Sequence, residues 1–140
     1  MRELDRQLPG SVEAIQHVDL DLELVPADQP GHSRRPDLVV VHRSAVERVH
    51  AERGLLRASE ALLVVEIVAP GSQRTDSVAK RGEYADAGIP HHWIVDITEP
   101  VSLVACHLAG DIGYQDDGAV TGTFTATEPL PVRIDLIALL

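Results

Sequence analysis

The chain has 140 residues and 44% apolar content, enough for one core and too much for a disordered segment. Its formal net charge of −10, from 22 acidic and 12 basic residues, argues against a general nucleic-acid binder, which carries a basic footprint. A single cysteine, Cys106, excludes an internal disulfide and a cysteine-based zinc cluster. No apolar run reaches membrane-span length and no charged-then-apolar signal opens the chain, so a reducing cytoplasmic setting without a membrane is expected.

Taken in order, Leu4 and Leu8 are spaced for a short helical turn before the Pro9-Gly10 turn signal. From Val12 to Val25, Val18, Leu20, Leu22 and Leu24 alternate with Asp19, Asp21 and Glu23, which predicts one half-buried strand with a solvated acidic face. Pro26 to Arg35 reads as loop. Asp37 then opens a second strand, Leu38 to His42, apolar enough for burial on both faces. Ser44 to Arg53 predicts a short helix with Ser44 as N-cap and Gly54 as stop. Glu60 to Ala69 is the third strand, and the three together suggest an antiparallel meander.

After the turn Pro70-Gly71-Ser72, Thr75 or Asp76 can cap a helix over Asp76 to Ala87 that stops at Gly88. Val78, Gly82 and Ala85 share one of its faces, and Gly82 would allow close approach to the sheet. His91 to Ile97 and Val101 to Leu108 give two more strands, the first reached by a parallel crossover. Tyr114 to Thr127 predicts a hairpin. Leu130 to Leu140 is an apolar tail that packs on the body. Its end, Ile134 to Leu140, together with the aliphatic strand edges, suggests a homodimer surface. The expected fold class is α/β, a mixed β-sheet flanked by helices.

Three residues stand out against this background: Asp37, Glu66 and Lys80. Each carboxylate sits at or inside a strand of valine and leucine, where an uncompensated charge is costly. Two nearby carboxylates repel, and a divalent cation is a natural compensator. Magnesium suits such a pair because it takes oxygen ligands, needs one or two carboxylates and keeps several waters. Lys80 is the one lysine beside eleven arginines. Lysine is a compact point charge, unlike the forked and permanently charged guanidinium. A lysine at Val68 would lie beside Glu66 on the same strand face; here it stands in the next helix, which can fold back over the strand.

The phrases PDLVVV (Pro36 to Val41), LVVEIVAP (Leu63 to Pro70) and DSVAKRGEYADAGIPHHWIVD (Asp76 to Asp96) resemble the Uma-two family of proposed restriction endonucleases, within the PD-(D/E)XK nuclease superfamily. The late segment Leu130 to Leu136 fits the same pattern. The resemblance implies a single restriction-endonuclease-like domain over 1–140 with a shortened N-terminal helical segment. It implies a magnesium- or manganese-dependent endonuclease acting on nucleic-acid phosphodiesters, and a homodimer. Asp37 and Glu66 would bind the metal, with the backbone carbonyl of Ile67 as a further ligand, and Lys80 would orient or activate water. A nuclease-fold module with little activity, serving interaction or assembly, is the alternative reading.

Other candidates read as structural. His91 and His92 are adjacent in a strand and point opposite ways, so one packed and one solvated histidine is expected. Cys106 lies in an apolar run and reads as a buried thiol. Asp96 ends its strand in a turn role. Tyr84, one helical turn after Lys80, either flanks the site or packs against it.

Overall fold

The computed structural model describes residues 2–25, 32–68 and 74–139. Its first third comprises α1 (Arg2–Gln7), β1 (Val12–Gln16), β2 (Leu20–Asp21), β3 (Ser33–Arg34) and β4 (Leu38–His42). The middle comprises α2 (Arg43–Glu52), β5 (Leu56–Arg57), β6 (Ala61–Val68), α3 (Arg74–Asp86) and β7 (His91–Asp96). The remainder comprises β8 (Ser102–Leu108), β9 (Tyr114–Gln115), β10 (Ala119–Thr121), β11 (Thr123–Ala126) and β12 (Val132–Asp135).

A seven-stranded mixed sheet runs β1-β4-β6-β7-β8-β10, with β9 paired to β8. The meander is present: β4 is antiparallel to both β1 and β6. The crossover is present too, since β7 lies parallel to β6 with Leu63 opposite His91 and Val65 opposite Trp93. Helix α3 makes that connection, as a parallel pair requires.

The central strands are apolar on both faces because both faces are covered. Leu38, Val40, Leu63, Val65, Trp93, Val95 and Leu103 face one core with Leu4 of α1 and with Phe124, Val132, Ile134 and Leu136. Trp93 meets Phe124 edge to face at 5.0 Å, an arrangement worth about 1 kcal/mol beyond its burial. On the opposite face, Val39, Val41, Val64 and Cys106 pack with Ala45 of α2, Tyr84 of α3, and Leu20, Leu22 and Leu56. Cys106 is the expected buried thiol.

Several boundaries differ from expectation. The strand expected over Val12 to Val25 is two strands in two sheets. His17 adopts a left-handed φ of 51°, which turns the chain out of the main sheet. β2 then joins a small sheet with β3 and β5, so its acidic residues are used locally. Asp21 accepts the Glu23 N–H, and Glu23 accepts the Ser59 N–H. Helix α2 starts at Arg43, with His42 at the N-cap and no side-chain cap, so Ser44 does not cap it. It ends on Arg53, not Gly54: Arg53 takes the left-handed position (φ 57°) and returns its N–H to Val49. Arg48 pins that exit by donating to the Leu55 carbonyl and to Glu60. The expected turn at 70–72 and the side chains of Thr75 and Asp76 lie outside the described residues.

The hairpin near the end is β11 with β12, while β10 joins the main sheet through β8. The C-terminal tail packs on the body: Ile134 and Leu136 are fully buried in the molecule's own core, and Ile137 points outward at 72% exposure. Of the segment expected to offer a homodimer surface, Ile134 and Leu136 are thus used within one copy, while Asp135, Ile137 and Ala138 are exposed.

Helix α3 ends as predicted. Gly88 has a left-handed φ of 80°, Gly88 N–H returns to Ala85 and Ile89 N–H to Tyr84, closing the helix in a Schellman arrangement. The face it buries is different from the one expected. Val78 is 65% exposed and Gly82 is exposed, whereas Tyr84 is fully buried. A Cβ at Gly82 would meet no atom within 4 Å, so close approach does not require this glycine. Gly82→Ala should therefore raise stability by about 0.5–1 kcal/mol, the helix-propensity difference, measured by urea denaturation. A destabilised variant would contradict the helix placement.

Candidate active site

The strand register brings the two carboxylates together. Leu38 pairs with Val65 across β4 and β6, and one step further places Asp37 opposite Glu66. Directly opposed residues of an antiparallel pair share a face. That face is the one α3 covers, because Glu66 follows Val64 by two positions and Val64 packs with Tyr84. Asp37 Oδ2 accepts the Ile67 N–H at 2.7 Å. The Ile67 carbonyl leaves the strand on the same side as its N–H, towards Asp37. Beside Asp37, a small cleft of about 90 Å³ is lined by Gln16, His17, Leu38, Val65 and Ile67.

Helix α3 delivers the other two groups. Lys80 and Tyr84 are one turn apart and share a helix face. The Tyr84 hydroxyl donates to Glu66 Oε1 at 2.6 Å, and the Lys80 ammonium lies 3.4 Å from Oε2. Glu66 is only 7% exposed. Burial raises its pKa above the ordinary carboxylate range; the Tyr84 bond and the Lys80 charge pull it back, and the neighbouring Asp37 charge pushes it up again. Burial, with the Glu66 carboxylate next to it, pushes the Tyr84 hydroxyl far up, so Tyr84 acts as a donor. Asp37, Glu66 and Lys80, singled out from the sequence, thus converge, with Ile67 presenting its backbone alongside.

The same helix is clamped to the strand that precedes Asp37. Arg34 donates from Nε and Nη2 to the two oxygens of Glu83, at 2.6 and 2.9 Å. Bidentate pairs of this kind fix orientation as well as adding energy. On the other flank, Arg81 donates to Asp116 at 2.9 Å. The sequence reading missed this bracing and left Tyr84 undecided between flanking and packing. The available signal for Tyr84 was its spacing of four from Lys80 on a helix otherwise short of large apolar residues.

Tyr84 in turn leans on His92, whose ring sits at 5.1 Å edge to face. His92 is 1% exposed and donates from Nδ1 to the Val64 carbonyl. His91, on the opposite face, is half-buried. The adjacent histidines therefore diverge as expected. Asp96 takes its expected turn role, accepting the Thr98 N–H.

The oxygen donors of Asp37, Glu66 and the Ile67 carbonyl are hard, a set that fits magnesium or manganese. A mixed sheet flanked by helices, with Glu66 on β6, Asp37 directly before the neighbouring β4 and a lysine on the crossover helix, defines a restriction-endonuclease-like α/β fold. The chain belongs to the Uma2 family, described as "Putative restriction endonuclease", whose model matches residues 3–136. No curated protein matches it. Among the described residues, no helix is long and apolar enough to cross a membrane.

The wall behind Glu66 has a pH signature. Burial, offset in part by the Val64 bond, pushes the His92 pKa down to about 4. A base with a depressed folded pKa is protonated more readily in the unfolded chain, so its contribution to stability falls as pH drops from about 6.5 towards 4. The slope from this one group is at most about 1.4 kcal/mol per pH unit. His92→Leu should flatten the pH dependence of unfolding between those limits by close to one proton relative to the parent. Parallel curves for the two proteins would show that His92 is not buried neutral.

Proposed function

We propose that the chain is a single-domain, magnesium- or manganese-dependent endonuclease that hydrolyses nucleic-acid phosphodiesters. The observation that carries this reading is the convergence of Asp37, Glu66 and Lys80 on one sheet face within a family described as "Putative restriction endonuclease". Asp37 and Glu66 would hold the cation, with the Ile67 carbonyl as a further ligand. When bound, the ion supplies Lewis-acid polarisation of a scissile phosphate and acidifies a bound water.

The chain's own groups supply the rest. Lys80 stands 3.4 Å from Glu66 Oε2, where its ammonium would meet a phosphate oxygen or a water held beside that carboxylate. The Tyr84 donor keeps the Glu66 carboxylate oriented. The clamp between Arg34 and Glu83 holds α3 against the strand that leads into Asp37. Positioning and charge stabilisation are the main demands of phosphoryl transfer.

One observation favours the interaction-module alternative. At net charge −10, Arg34, Arg35, Arg48 and Arg81 are each paired with a carboxylate. These four guanidinium groups are neutralised locally, so binding to nucleic acid would lean more on the bound metal.

The two readings separate in a cleavage assay on plasmid and single-stranded DNA with magnesium or manganese. Lys80→Ala should lower turnover by ~10²-fold or more, the usual scale for losing one electrostatic stabiliser. Lys80→Arg should not restore it, because the forked head misplaces the charge. Asp37→Asn and Glu66→Gln should abolish metal-dependent cleavage. Equal residual activity in the parent and Glu66→Gln would assign the cleavage to a contaminant and leave the interaction module.

A further inference from the structure

In each of the two carboxylates one oxygen is already engaged as a hydrogen-bond acceptor, which weakens it as a donor to a cation. Asp37 Oδ2 is bonded to the Ile67 N–H at 2.7 Å, and Glu66 Oε1 to the Tyr84 hydroxyl at 2.6 Å. Oδ1 of Asp37 has no hydrogen bond among the described residues, and Oε2 of Glu66 has only the long contact to Lys80. Each carboxylate therefore presents one oxygen more readily than the other. The Tyr84 bond is short and charge-assisted, the stronger kind. It comes from a phenol with 0% exposure, wedged by His92, so the hydroxyl cannot swing away without opening the core.

We propose that Tyr84 is a positioning residue that sets cation choice, biasing Glu66 towards one-oxygen ligation and so favouring magnesium over calcium. This rests on the metal-site reading above. Magnesium takes near-octahedral, single-oxygen contacts and retains waters. Calcium accepts six to eight oxygens and benefits from bidentate carboxylates. A carboxylate with one oxygen already hydrogen-bonded suits the first ion and makes the second oxygen a poorer extra ligand for the other. The Asp37 restraint comes from backbone and cannot be removed by substitution, whereas the Glu66 restraint depends on a single hydroxyl.

The test is calorimetric titration of the full chain with magnesium chloride and with calcium chloride, without nucleic acid. The parent should bind magnesium at least as tightly as calcium. Tyr84→Phe keeps the ring that packs on His92 and removes only the donor. Losing such an outer partner typically costs about 10–100-fold in metal affinity. Magnesium affinity should fall by about tenfold on that scale, while calcium affinity holds or rises, so the ratio reverses towards calcium. Lys80→Met, acting at the other oxygen, should move both affinities together and leave the ratio unchanged. Equal shifts for both ions in Tyr84→Phe would reduce Tyr84 to a packing residue and overturn the proposal. So would a parent that prefers calcium, a result that stands even if the variant does not fold. A parent that binds neither ion overturns the metal-site reading as well. Loss of binding in Glu66→Gln with an unchanged ratio in Tyr84→Phe defeats this inference alone.

Discussion

The constraint on which the rest depends is the burial of the Glu66 carboxylate. A charge at 7% exposure in a strand of valines is unfavourable unless donors and counter-charges surround it. α3 brings both compensating groups, Tyr84 to Oε1 and Lys80 to Oε2. The helix can reach the strand because β6 and β7 run parallel, which obliges the connection to cross over the sheet. The Schellman closure at Gly88 then returns the chain into β7. Removing any of these features would leave Glu66 buried and under-compensated, so the site and the fold are stabilised by the same contacts.

The charge distribution follows a similar logic. A chain with net charge −10 would be expected to repel a polyanion, and it sets two carboxylates, Asp37 and Glu66, side by side on one sheet face. On the proposed reading, a cation between Asp37 and Glu66 would turn a repulsive pair into an attractive centre. The arginines meanwhile serve as braces. Arg34 ties β3 to α3, Arg81 ties α3 to the segment after β9, and Arg48 ties α2 to the turn before β6. Guanidinium groups suit that work because they bind carboxylates in a fixed fork.

Much of this was legible in the sequence. The unbroken apolar runs at Leu38–Val41 and Leu62–Val65 announce strands covered on both faces, and Gly88 followed by Pro90 announces the helix stop. Asp37, Glu66 and Lys80 were legible because carboxylates in such runs demand compensation. What escaped was set by tertiary context. His17 in a left-handed turn splits an apparently continuous alternating strand, and a two-state pattern cannot signal a residue that flips the chain to another sheet. Arg53 caps α2 because Arg48 reaches over the exit, a contact visible only after folding. The helix face was misread because Val78 is exposed and Gly82 has open space beside it. The real anchor, Tyr84, is held by a carboxylate on a strand 18 residues earlier.

The most direct measurement is anomalous diffraction from crystals of the chain soaked in manganese. The account predicts one strong anomalous peak between Asp37 Oδ1 and Glu66 Oε2, close to the Ile67 carbonyl, with the Tyr84 hydroxyl still on Oε1. Saturating manganese with no peak there, and the Lys80 ammonium settled between the two carboxylates instead, would contradict it.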